Sequence, residues 1–171
     1  MFRRSLIFEG INMRKPYINK VHIILEILGY IMVLMSGVYA VAVMLTTEGQ
    51  IPTHYNIQGE VDGYGSPAAL LILPISMLVV DLIITLSLHL IPASNWNTGF
   101  KINPGKEIIV LTDYSYMMSA MITEIGAFTL VGTYLFDKGS NGIMLASIAL
   151  TVISFITVVI FIVKAYRDNR D

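Results

Sequence analysis

The sequence predicts an all-α integral membrane bundle of four transmembrane helices with both termini cytoplasmic. Hydrophobic residues make up 55% of the 171 and charged residues only 13%, where soluble domains average about a quarter charged. Mean hydropathy is +0.70. Four apolar runs, at 23–45, 67–91, 113–136 and 142–163, are long enough for a hydrocarbon layer of about 30 Å, which takes roughly 20 helical residues. Basic residues are retained on the cytoplasmic side during insertion, and here they sort to one face. Arg3, Arg4, Arg14, Lys15 and Lys20 precede the first run, Lys101 and Lys106 lie between the second and third, and Lys164, Arg167 and Arg170 follow the fourth. The opposite face has only Lys138.

The chain therefore divides into a basic cytoplasmic segment at 1–22, a membrane domain at 23–163 and a basic cytoplasmic tail at 164–171. Within the membrane domain an exterior loop occupies 46–66 and a cytoplasmic loop 92–112. Met13, ahead of RKPYINK, is an alternative start. Ala40 to Ala42 read "AVA", like a cleavage site, but the apolar run before them exceeds the 7–15 residues of a signal h-region. The first run is read as a retained anchor. Zero cysteines exclude disulfides and thiolate metal sites.

Helix one carries Glu26 on a stripe with Tyr30, Val33, Gly37 and Ala40. Helix two carries Asp81 with Pro74, Thr85 and Leu88. Helix three aligns Asp113, Tyr116, Ala120, Glu124, Ala127 and Val131, with small Ser119, Thr123 and Gly126 beside them, and helix four has a hydroxyl face of Ser147, Thr151 and Ser154. Acids within a membrane are costly and point into the bundle. Glu26, Asp113 and His89 lie near the cytoplasmic ends, within reach of headgroup water. Asp81 and Glu124 fall near the midplane, with no lysine or arginine in the apolar cores beside them. The expectation is that these two meet and share one proton, because two close carboxylates cannot both ionise.

The stretch IPTHYNIQGEVDGYGSP is the long polar passage between the first two apolar runs. A translocated loop avoids lysine and arginine, and this one has neither while carrying Glu48, Glu60 and Asp62. Gly59, Gly63 and Gly65 can take positive φ, Asp62–Gly63 is a turn signal, and Pro67 suits a helix first turn. A compact cap over the bundle is expected. His54, Asn56, Glu60 and Asp62 bear donor and acceptor chemistry. One imidazole and two carboxylates suit a divalent ion in principle, but one histidine without a second makes no metal assignment.

The order Ile51, Pro52, His54, Asn56, Gly59, Asp62, Gly63, Gly65, Ser66 between two membrane helices resembles the signature of a bacterial family of small membrane proteins with a domain of unknown function, DUF1648. Its best-known relative is the immunity protein of the sporulation-delaying toxin system. FKINPGKEI, ahead of helix three, and Glu124 add a weaker likeness. The chain departs from the family in the approach TTEGQ and in having Pro67 after the serine. The resemblance implies a cell-membrane, multi-pass protein that protects against or senses a secreted membrane-active peptide, with Pro52, His54, Asn56, Gly59, Asp62, Gly63 and Gly65 as the partner-binding loop.

No nucleophile elbow, zincin motif, phosphate-cradling loop or basic-aromatic surface is present. An enzyme, a cofactor, a bound metal and a nucleic-acid partner are not expected. The expected partners are the lipid bilayer, a secreted peptide or second membrane protein outside, and a soluble regulator inside; an oligomer is compatible with all of these. The competing expectation is a small proton- or cation-linked transporter using Asp81, Glu124 and Glu26.

Overall fold

The computed structural model describes residues 15–170. Arg3, Arg4, Met13 and Arg14, used in the charge count and the alternative start, lie outside the described residues. The order is α1 (Lys20–Thr46), β1 (Ile51–Tyr55), β2 (Val61–Gly65), a 3₁₀ turn (Pro67–Leu71), α2 (Ile72–His89), a second 3₁₀ turn (Ala93–Asn95), α3 (Glu107–Asp137) and α4 (Gly142–Arg170). The four helices, counting the 3₁₀ lead-in with α2, are each long and apolar enough to cross a membrane. This is the pattern of a multi-pass membrane protein.

Local chemistry sets the start of α1 and of the 3₁₀ lead-in to α2. Asn19 caps α1: its side chain accepts from Val21 N while its own N–H donates to His22 Nδ1, a reciprocal capping box. Ser66 caps the 3₁₀ turn, with Pro67 in the first position, where a missing N–H costs nothing. Pro74 is tolerated because it falls in the opening turn of α2.

The most extensively buried helix is α3, and the other three pack around it. Its contact with α1 is backbone on backbone: a Cβ built on Gly29 would lie 2.5 Å from Ile122 O, and one on Gly126 would lie 2.5 Å from Gly29 O. Lipid offers little hydrophobic drive between helices, so close approach and hydrogen bonds hold them. Thr123 Oγ1 donates to Leu25 O at 2.8 Å, and Ser36 Oγ meets Thr133 Oγ1 at 2.6 Å.

Three helices outrun the expected spans at the end of the molecule where both described termini lie, α1 by starting at Lys20, within the segment placed at 1–22. Part of the loop placed at 92–112 is helical from Glu107, and the segment placed as a tail at 164–171 continues α4 to Arg170. The added turns of α4 are too polar for hydropathy to include, whereas the added turn of α3 carries the apolar run Ile108 to Leu111; the two segments pack together. Ala165 packs among Val110 and Tyr114, while Asn169 Oδ1 accepts from Asn103 N at 2.7 Å. At the same end Lys15 Nζ donates to Leu88 O and Ile91 O, at 2.9 and 2.8 Å. A cation there satisfies carbonyls that α2 leaves open and complements its dipole.

Candidate functional site

The 46–66 loop is a β-hairpin. β1 and β2 pair antiparallel, with Ile51 opposite Gly65, Pro52 opposite Tyr64, His54 opposite Gly63 and Tyr55 opposite Val61, and the register shifts on either side of His54. Sequence reasoning put the turn at Asp62–Gly63; it lies instead between Tyr55 and Val61. Asn56 Oδ1 accepts from Gln58 N and Glu60 N, an Asx turn, and Gly59 takes φ +81. Asp62 and Gly63 belong to β2. Their glycines serve cross-strand approach rather than positive φ: a Cβ on Gly63 would come 2.9 Å from His54 Cβ, and one on Gly65 would come 2.9 Å from Thr53 Cγ2.

The hairpin is fastened to the bundle. Ile51 is buried with Ala40 and Leu70. Tyr55 OH donates to Phe136 O at 3.0 Å, its ring meets Phe136 edge-on, and burial pushes its phenol above the ordinary tyrosine value. The outward face stays open. Ile57 is 86% exposed and Tyr64 62%, and His54 Nδ1 pairs with Asp62 Oδ1 at 2.5 Å on the solvent side. Glu60 is engaged by Asn56 Nδ2 at 3.2 Å. Among the described residues no group of three histidines, cysteines or acids is placed to hold a metal ion.

Beneath the hairpin, α2, α3 and α4 enclose a cleft of about 390 Å³, lined by Thr53, Leu73, Phe128, Phe136, Ile143 and Ser147 among others. Its walls are apolar in effect. The Ser147 hydroxyl donates to Ile143 O within its own helix, leaving hydrocarbon to face the space. Where α3 meets α4, Asp137 binds Tyr39 OH at 2.7 Å and Lys138 Nζ at 2.7 Å, and the carboxylate holds the Lys138 ammonium above the usual lysine range.

The intramembrane acids are distributed differently from the expectation. Glu124 does not meet Asp81: its carboxylate accepts from Ser154 Oγ at 2.9 Å and from Thr157 Oγ1 at 2.5 Å, both on α4. Helix four's hydroxyl face supplies the partner that sequence reasoning sought in Asp81. Asp81 is fully buried, and neither of its oxygens has a hydrogen-bond partner among the described residues. Glu26, expected at headgroup water, is buried at the centre of a three-helix knot. It accepts from Ser119 Oγ at 3.1 Å through one oxygen and pairs with His89 Nε2 at 2.8 Å through the other. Asp113 is also buried rather than hydrated, and Lys164 reaches back from α4 to bind it.

The sequence carried one unread signal for the Glu26 knot. Glu26 and Tyr30 are four apart on α1, as are Thr85 and His89 on α2, and Tyr30 OH meets Thr85 Oγ1 at 2.7 Å. Two antiparallel helices with polar residues at equal spacing can form successive rungs.

Residues 31–78 match the domain of unknown function DUF1648. The DUF1648 match runs from within α1, through the hairpin, into α2. It includes all seven residues of the expected binding loop and the buried Ile51 anchor, and it ends before Asp81; Glu26 and Glu124 lie outside it. No curated protein and no solved structure matches the chain.

Proposed function

We propose that this chain is a bacterial cell-membrane interaction protein of the immunity type, which meets a secreted, membrane-active peptide at its hairpin and thereby protects against it or senses it. The observation that supports this is the anchored hairpin roofing an apolar cleft. Ile57, Tyr64 and the His54–Asp62 pair are exposed on the hairpin, and the cleft, which the hairpin meets through Thr53, has a volume of about 390 Å³, within the size range of small-ligand pockets. A peptide that partitions into membranes carries large apolar side chains that suit such a space. The loop's Glu48, Glu60 and Asp62, with no lysine or arginine, favour a cationic partner and speed its encounter. In this proposal the basic end of the bundle faces the cytoplasm and is open to a soluble regulator or anionic lipid.

The test is protection. Cells sensitive to a secreted membrane-active peptide should survive when they express the chain, and lose that survival with His54→Ala or with Leu73→Trp, which fills the cleft, at equal membrane abundance. Survival that does not depend on the protein removes the immunity role. A peptide that crosslinks elsewhere and never to a photoreactive group at Ile57 or Tyr64 removes the hairpin as its site.

A further inference from the structure

Asp81 presents a problem that its surroundings do not solve. A carboxyl group fully buried in a membrane-spanning helix, with no donor to either oxygen among the described residues, is in a costly setting for such a group. The polar bridges between α2 and α1 lie on one side of it. Counting along α2 at about 1.5 Å per residue, Thr85 lies about 6 Å and His89 about 12 Å from Asp81 toward the end that holds the described termini. Both are bridged to α1, Thr85 through Tyr30 OH and His89 through Glu26. One more turn of the same register brings Asp81 opposite Val33 and Leu34, which offer no polar atom. The ladder therefore rises from the end of the molecule and stops at Asp81.

From this arrangement we infer that Asp81 is a proton-binding site inside the bundle, reached from the termini end through Glu26–His89 and Tyr30–Thr85. A metal cation does not fit. Hard cations need about six or more oxygen ligands, while α2 is continuous helix around Asp81 with its carbonyls committed within the helix. A proton needs one oxygen. The transfer balances without another reactant: a hydronium ion at the termini end gives its proton to the Glu26–His89 pair and is left as water, the Tyr30 and Thr85 hydroxyls each accept one hydrogen and pass on another, and the Asp81 carboxylate becomes the neutral acid. Rungs about 6 Å apart are spanned by a side-chain rotation or a bridging water.

The groups around the ladder are few. α1 contributes Glu26, Tyr30 and His22, which lies within electrostatic range of Glu26 and His89. α2 contributes His89, with Lys15 Nζ on the adjacent carbonyls of Leu88 and Ile91. From α3 only the Ser119 hydroxyl joins the ladder; Glu124 is turned to α4 and Asp113 to Lys164. Asp81 is therefore the terminal acceptor. The inference is independent of whatever binds the hairpin.

The experiment is infrared spectroscopy of the full chain in lipid nanodiscs, with aspartates labelled with ¹³C at the carboxyl carbon. A protonated-carboxyl band that shifts with the label should appear and vanish as bulk pH is varied, and be lost in Asp81→Asn. After transfer to D₂O its deuterium shift should develop at least an order of magnitude more slowly in Glu26→Gln and in Tyr30→Phe. If Asp81→Asn does not fold, the isotope shift in the unmutated chain and the two kinetic variants decide. A labelled band of fixed intensity at every pH, no such band at any pH, or deuteration rates unchanged in both variants would each overturn the inference.

Discussion

Gly29 and Gly126 set the distance between α1 and α3, because at both positions the atom met by an added methyl is backbone and cannot rotate away. Gly29→Ala should therefore cost about 1–3 kcal/mol, the usual range for overpacking. Gly37, on the same helix, has nothing within 4 Å. There alanine removes the conformational freedom of glycine in the unfolded chain and should be neutral or stabilising by up to about 1 kcal/mol. Reversible unfolding in bicelles reads both, and equal effects at the two positions would refute the backbone contact. Hydropathy cannot distinguish these glycines, since the difference lies in what the partner helix presents. Asn56 is the contrasting case: its turn chemistry acts within five residues and was readable, whereas Asp62–Gly63, an equally strong local signal, was drawn into a strand by pairing with His54.

Helix four depends on a few polar ties, because it packs chiefly against α3 and no residue of its most apolar window is fully buried. Those ties are Glu124 with Ser154 and Thr157, Asp113 with Lys164, and Asn103 with Asn169. Lys164→Met leaves the buried Asp113 carboxyl without its donor, one of its oxygens being already unpartnered. Stability should fall by about 1–3 kcal/mol, the cost of an unsatisfied buried polar group. Asp113→Asn in the same chain should recover part of the loss, because an amide removes the charge that lacked a partner. Loss of helix-four protection in hydrogen exchange, ahead of the other three helices, would mark the same event; unchanged exchange in Lys164→Met would refute it. The four spans were legible from length and apolarity alone, which depend on one chain segment at a time. The pairing of acids was not. Asp81 and Glu124 share a depth, yet the partner each finds depends on the rotation of its helix about α3, and no single helical wheel contains that rotation.

At the scale of the whole molecule the charged chemistry gathers at two ends, with the α1–α2 ladder and the Glu124 and Ser36 ties between helices inside, and the orientation of the bundle decides which compartment each end faces. Charge sorting favours the hairpin outside, since Lys138 is the lone basic residue at that end among the described residues. The chain contains no cysteine, so a single engineered thiol reports position without background. Ile57→Cys places a thiol at a well-exposed point of the hairpin turn. Arg167→Cys places one on the exposed side of α4 at the other end, where the native side chain is 69% accessible. In intact cells a membrane-impermeant maleimide should label Ile57→Cys, and should label Arg167→Cys only after the membrane is opened. The reverse pattern would put the hairpin in the cytoplasm and bring the Glu26–His89 entrance to the outside. A secreted peptide could then no longer reach the hairpin without crossing the bilayer. The proton inference would survive with its direction reversed, because the ladder is fixed to the helices and not to the compartment. The labelling result therefore separates the two ideas: one requires a particular orientation, and the other requires only that Asp81 remain at the inner end of a polar track.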